Sequence, residues 1–185
     1  MQVNNIQYYK NNFDAYSKIV GLSFSTIKGG GFLPTAKMRL GTAVHNYLLE
    51  PSEYNHEHRD IVIPIANAIK AEIGGLLPFL DTELSVTADF EYAGIIMPYK
   101  GRVDMVRTGK IVIDLKVSEV PLSRSIAHFG YDYQVNGYMA ATLCDYGMII
   151  RVDPKTHKIE KKMIPKSSTW WEMQILRLGV PKEIY

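Results

Sequence analysis

Cysteine is almost missing from this chain: Cys144 is the single one in 185 residues. One thiol excludes an internal disulfide framework, a four-cysteine zinc site and a four-cysteine iron–sulfur cluster. It also suits a reducing compartment. No apolar run approaches the ~20 residues of a transmembrane helix, and the opening MQVNNIQYYK lacks the basic-then-apolar pattern of a secretion signal. A cytoplasmic protein with no membrane segment is the expectation. Repeats, low-complexity tracts and long linkers are also lacking, so one domain over residues 1–185 is expected. What remains is an ordinary core-forming composition, 46% hydrophobic and 22% charged.

Neither sign of charge dominates, since the net value is +2, yet the charges are unevenly placed. Residues 1–40 carry five basic and one acidic side chain, residues 41–100 three and nine, residues 101–149 five and five, and residues 150–185 eight and four. Two basic ends therefore flank an acidic middle. Basic ends suit a phosphate backbone, and clustered carboxylates suit a divalent metal.

Ile6, Tyr9, Phe13, Tyr16 and Ile19 recur every three or four residues, which predicts a helix near 3–20 ended by Gly21. Ser23 and Ser25 can cap a short turn at 24–28, and Gly29-Gly30-Gly31 with Pro34 breaks regular structure. A helix should start at Thr35 and stop at Pro51, with His45 inside it, and another should run from Pro64 to just before Pro78. The stretches LSVTADF, AGIIM, GRVDMV and IVIDLKV then read as a meander of three or four strands. Helices at 123–129 and 131–146, a hairpin from MIIRVD and KIEKKMIP, and an amphipathic helix at 168–178 complete the chain. The fold class expected is α/β, or α+β layered, with a central mixed sheet flanked by helices.

The segment GRVDMVRTGKIVIDLK carries the chemistry. Residues two apart on a strand share a face, so Asp114 and Lys116 are neighbours, and a hairpin through the Thr-Gly turn brings Asp104 beside them. Two carboxylates on one face can chelate Mg²⁺ or Mn²⁺, and an adjacent lysine can orient water or neutralise charge on a phosphate. A surface Asp–Lys ion pair is the plainer reading and contributes well under ~1 kcal/mol. Here, however, the charges interrupt the apolar run IVIDLKV, where they are costly unless paired or coordinated.

The pattern G-R-V-D, followed ten residues later by I-D-L-K, resembles the core motif of the PD-(D/E)xK nucleases, with Val103 in place of the usual proline and Asp114 as the second acid. Ser23-Phe24-Ser25 followed by LGTAVHNYLLEP at 40–51 resembles the N-terminal signature of RecE-type exonucleases. Gln134-Val135-Asn136-Gly137-Tyr138 resembles the Q-x-x-x-Y motif of RecB-like nucleases. Three motifs in order over residues 23–138 make the likeness more specific than any one alone.

The resemblance implies a restriction-endonuclease-like core and a metal-dependent deoxyribonuclease of the RecE or lambda-exonuclease type, acting on the ends of linear DNA in recombination or repair. It implies one or two Mg²⁺ or Mn²⁺ ions held by His45, Asp104, Asp114 and the Leu115 carbonyl. Lys116 would position the attacking water, with Gln134 and Tyr138 supporting the site. Ser23, Ser25, Lys28, Arg102, Tyr131 and Tyr133 are candidates for DNA contact. Lys37, Arg39, Lys158, Lys161, Lys162 and Lys166 are further candidates for a phosphate track. Of the acids on earlier elements, Glu83 and Glu91 are not separated by spacing, and both read more readily as solvated; His56 and His58 are expected to have no role. Relatives of this kind suggest a homo-oligomer, a single-strand annealing partner and a bacterial or phage-infected host cytoplasm. The alternatives are a structure-specific endonuclease, or a DNA-binding recombination scaffold that keeps the fold without turnover.

Overall fold

The computed structural model describes residues 1–10, 13–29, 33–55 and 58–179. Six strands form one mixed sheet in the order β1-β2-β3-β4-β5-β6, its strands being Gln2–Tyr9, Asp81–Tyr92, Ile95–Arg107, Ile111–Val117, Tyr146–Val152 and Ile159–Ile164. All neighbours are antiparallel except β4 and β5, which are parallel. A parallel pair needs a crossover, and helices α5 (Leu122–Phe129) and α6 (Tyr131–Ala141) supply it. The other helices are α1 (Phe13–Ser17), α2 (Phe24–Ile27), α3 (Ala36–Leu49), α4 (Arg59–Ile73) and α7 (Thr169–Gly179). None of the described helices is long and apolar enough to cross a membrane.

Each face of the sheet buries its own cluster. On one face Phe90, Tyr99, Val112, Val135, Tyr138, Met139 and Trp171 pack together, contributed by the sheet and by α6 and α7. Phe90 and Tyr99 stack with centroids 4.3 Å apart, and Trp171 meets both edge-on at 5.3 and 5.2 Å. A Cβ at Gly137 would lie 2.6 Å from Trp171 Cζ2, so only glycine lets α6 approach α7 this closely. On the other face Val44, Leu48, Ile65 and Ile69 of α3 and α4 pack against Met105, Ile113, Leu115 and Ile150.

The N-terminal segment departs from the helix expected over 3–20: Gln2–Tyr9 is an edge strand, and only Phe13–Ser17 is helical. The register of β1 on β2 shifts between Asn4 and Gln7, and Asn5 has φ 51°. This bulge changes the pleat phase, so that Val3 and Ile6, three residues apart, both pack against the same core. Helical spacing was imitated by a bulged strand.

Two further boundaries differ from expectation. Helix α4 begins at Arg59, with Pro64 inside it. Pro64 is exposed, so water can take the Asp60 carbonyl it cannot bond, while Val62, Ile65, Ala66 and Ile69 bury the helix. The expected short strands at 84–97 are instead parts of two long strands joined by Ala93 and Gly94. Both turn residues have positive φ, 52° and 78°, as a two-residue hairpin turn requires. The helix expected over 131–146 ends at Ala141, and β5 starts at Tyr146.

Candidate active site

The site forms where β3 and β4 stop pairing. Their register runs Arg107 to Ile111, Val106 to Val112 and Met105 to Ile113, and goes no further. Beyond it the Asp104 carboxylate accepts the Leu115 N–H at 2.6 Å, replacing a ladder carbonyl with a charged side chain. The pleat of β3 also changes phase here. Val103 and Val106 both belong to the cluster beneath α6 and α7, whereas Met105 belongs to the one beneath α3 and α4. In β2, Glu83 has φ 50°, between the pairs Thr82 with Met105 and Leu84 with Val103.

Into this opening α3 delivers His45. Thr35 caps the helix, its hydroxyl accepting the Met38 N–H at 3.2 Å, and Ala43, Val44, Leu48 and Leu49 bury one face. His45 Nε2 lies 3.0 Å from the Leu115 carbonyl oxygen. Its Nδ1 is 3.7 Å from Glu83 Oε1 and 3.7 Å from Asp104 Oδ1. One ligand atom from each of His45, Glu83 and Asp104 falls within 4.8 Å of the others. Burial opposes charge on the ring, but Asp104 and Glu83 outweigh it and raise the His45 pKa to about 9. A protonated ring can hold the two carboxylates together, and the neutral ring, with Nδ1 free of its proton, can offer that nitrogen to a metal ion.

Asp114 and Lys116 adjoin this cluster on β4. Asp114 is fully buried, and its carboxylate lies 2.9 and 2.8 Å from Lys116 Nζ. Burial raises the Asp114 pKa to about 6 against the pull of Lys116. Burial also works against the Lys116 ammonium, but Asp114 and Asp104 prevail and hold its pKa above the ordinary value. Asp114 Oδ2 makes no aligned hydrogen bond although it is buried, which leaves a lone pair for another partner. A nitrogen and several carboxylate oxygens form a donor set that fits a hard divalent cation.

The expected partners are thus divided. Asp104 joins His45 and Glu83, while Asp114 is held by Lys116. Glu83, expected to be solvated, has a side chain only 12% exposed. It lies in the site, whereas Glu91 is far along the hairpin, accepting from Asn4 Nδ2 at 3.1 Å. Register could have chosen between the two acids. Pairing back from the Ala93-Gly94 turn sets Glu83 between Thr82 and Leu84, whose partners Met105 and Val103 flank Asp104.

The remaining candidates are distributed around this core. On α6, Gln134 Nε2 donates to Tyr138 Oη at 2.8 Å, and burial, then the negative charge of Asp114, lifts the buried Tyr138 phenol well above its usual pKa. Arg102 is engaged rather than free, with Nη2 2.5 Å from Glu50 Oε1, Nε 2.8 Å from Glu83 Oε2, and its guanidinium 4.6 Å from the Phe13 ring centroid. Ser23 caps α2 by a reciprocal bond with Thr26, and Ser25 Oγ lies 2.9 Å from Ser23 Oγ. Lys28 donates to the Phe129 carbonyl at 3.0 Å. Tyr131 lies beneath Lys116 Nζ at 4.8 Å, but Tyr133 stacks on Trp170 with centroids 5.0 Å apart. Lys37, Lys161 and Lys166 pair with Glu119, Glu72 and Asp145, and Arg39 donates to the Pro34 carbonyl. His58 precedes α4, and His56 lies outside the described residues.

No protein-family model and no curated protein matches this chain. Among solved structures it resembles a protein of Eubacterium rectale assigned as an exonuclease, at 17% identity over 84% of this chain and 68% of that one, with a TM-score of 0.52. A phage-related exonuclease of Haemophilus somnus is 18% identical over 85% and 89% of the two chains, with a TM-score of 0.45. An alkaline exonuclease of Laribacter hongkongensis is 15% identical over 90% and 74%, with a TM-score of 0.44. At such identities the likeness to the Eubacterium rectale protein is one of fold, a mixed six-stranded sheet between helices.

Proposed function

We propose that this protein is a metal-dependent deoxyribonuclease that hydrolyses phosphodiester bonds at DNA ends, as recombination or repair requires. The observation that carries the reading is the His45, Glu83 and Asp104 cluster beside the buried Asp114–Lys116 pair, at the point where two strands separate. The fold shared with a protein assigned as an exonuclease supports it.

His45 Nδ1, Glu83, Asp104 and Asp114 would hold Mg²⁺ or Mn²⁺, with the Leu115 carbonyl at the edge of the site. A divalent ion there would supply charge for the phosphate oxygens and would lower the pKa of a bound water. Lys116 stays charged beside Asp114, and its remaining N–H groups can direct a water or a phosphate oxygen. Gln134 donates to the Tyr138 phenol, which feels the charge of Asp114, and Arg102 bridges Glu50 to Glu83 and so holds the Glu83 carboxylate in place.

End-labelled linear duplex incubated with Mg²⁺ tests the reading. Stepwise loss of nucleotides that stops on adding EDTA, and that falls at least about 10²-fold in Asp114→Asn and Lys116→Ala, is the expected result. Unchanged degradation by both variants would overturn it. Rapid cutting of a closed circular duplex would replace end-directed with internal cleavage.

A further inference from the structure

From the Lys116 end of the site a groove of about 900 Å³ runs outward between α3 and the junction of α5 and α6. Its walls are unlike the acidic cluster at its inner end. Met38 and Leu40 line one side, Val117 and Val120 the floor, and Phe129 and Tyr131 the other side. Phe129 and Tyr131 are stacked, with centroids 5.4 Å apart and planes 27° from parallel, and Phe129 is 39% exposed. Lys28 holds the Phe129 carbonyl at 3.0 Å and so fixes the end of α5 that carries the ring.

Cations stand at both ends of this apolar wall. Lys116 is at the inner end, 4.8 Å over Tyr131. At the outer end Lys37 and Lys155 both pair with Glu119, at 3.1 and 2.7 Å, which leaves one positive charge in excess. A duplex shows a protein its phosphates and groove edges, and its base faces are covered. An unpaired strand exposes those faces, and they stack on aromatic rings while the backbone follows the cations.

We propose that this groove binds a single unpaired DNA strand, its bases stacked against Phe129 and Tyr131 and its backbone running from the Lys37–Glu119–Lys155 bridge to Lys116. The proposal rests on the nuclease reading for what happens at the inner end. Phe129 is then a substrate-binding residue, and the substrate is an end that is single-stranded or frayed. A blunt duplex must open before its strand can enter.

The test uses a fluorescein-labelled phosphorothioate oligothymidylate, which resists hydrolysis, and a blunt phosphorothioate hairpin duplex, both with Mg²⁺ and read by anisotropy. The unpaired strand should bind more tightly than the duplex. Phe129→Ala should weaken binding of that strand by roughly 5- to 150-fold, the range for losing one stacked base, and leave duplex binding nearly as it was. Phe129→Trp, which keeps a stacking face, should bind like the wild type, and Phe129→Leu, which keeps only the apolar volume, should not. Equal binding of strand and duplex, or binding indifferent to Phe129→Ala, overturns the proposal. Cleavage tested alongside separates the two readings. DNA degraded with no dependence on Phe129 removes the groove and leaves the nuclease, whereas Phe129-dependent binding without Mg²⁺-dependent cleavage supports the groove and removes the nuclease.

Discussion

His45 and Leu115 meet across seventy residues of sequence, the ring Nε2 lying 3.0 Å from the Leu115 carbonyl oxygen. Because Nε2–H donates to that carbonyl, Nδ1 is the nitrogen that faces Glu83 and Asp104. A backbone contact on β4 therefore selects which nitrogen of a side chain on α3 serves the site.

Glu83 should matter where Glu91 does not. Glu83→Gln removes a carboxylate from the cluster with little change of shape, and the initial rate of Mg²⁺-dependent DNA degradation should fall about 10- to 100-fold. Glu91→Gln, at the other end of the same strand, should leave that rate unchanged.

Arg102 acts through its neighbours. Its links to Glu50 and Glu83 should make Arg102→Ala need more Mg²⁺ for half-maximal rate, by about 10-fold or more. Arg102→Lys keeps the charge but not the fork, and a magnesium titration should place it between the two.

Gly137→Ala should destabilise the fold by about 1–3 kcal/mol, since the added methyl meets the buried Trp171 ring at 2.6 Å. Urea unfolding measures this as a lower midpoint. Combining it with Trp171→Phe, which shortens the ring system, should recover part of the loss relative to Trp171→Phe alone.

Thr35→Ala should cost about 1 kcal/mol by leaving the Met38 N–H without its side-chain acceptor. Faster amide exchange at the first turn of α3, with the exchange of β4 unchanged, would locate the effect. Thr35→Ser keeps the acceptor and should behave as the wild type.

The elements that carry the candidate site were more legible than the edge of the sheet. IVIDLKV read as a strand because β-branched residues crowd it, and a period of two set Asp114 and Lys116 together. The helix carrying His45 announced itself by Thr35 and Pro51 at its ends. Periodicity failed at β1, where a bulge gave a strand the spacing of a helix. It also failed at Glu83, whose place beside His45 comes from cross-strand register and a left-handed backbone rather than from its neighbours in sequence. Phe129 gave no signal, because a ring ending one helix becomes a groove wall only once α3 stands opposite it.

Besides its place in the cluster, the Asp104 carboxylate closes the hydrogen bond of the Leu115 N–H where the ladder has ended. An inactive protein made by Asp104→Ala would leave that buried donor orphaned and loosen the strand that bears Asp114 and Lys116, at about 1–3 kcal/mol. Asp104→Asn keeps an acceptor in place while removing the charge. It is therefore the better starting point for a substrate-trapping variant, one in which captured DNA reports on the native cleft rather than on a collapsed one.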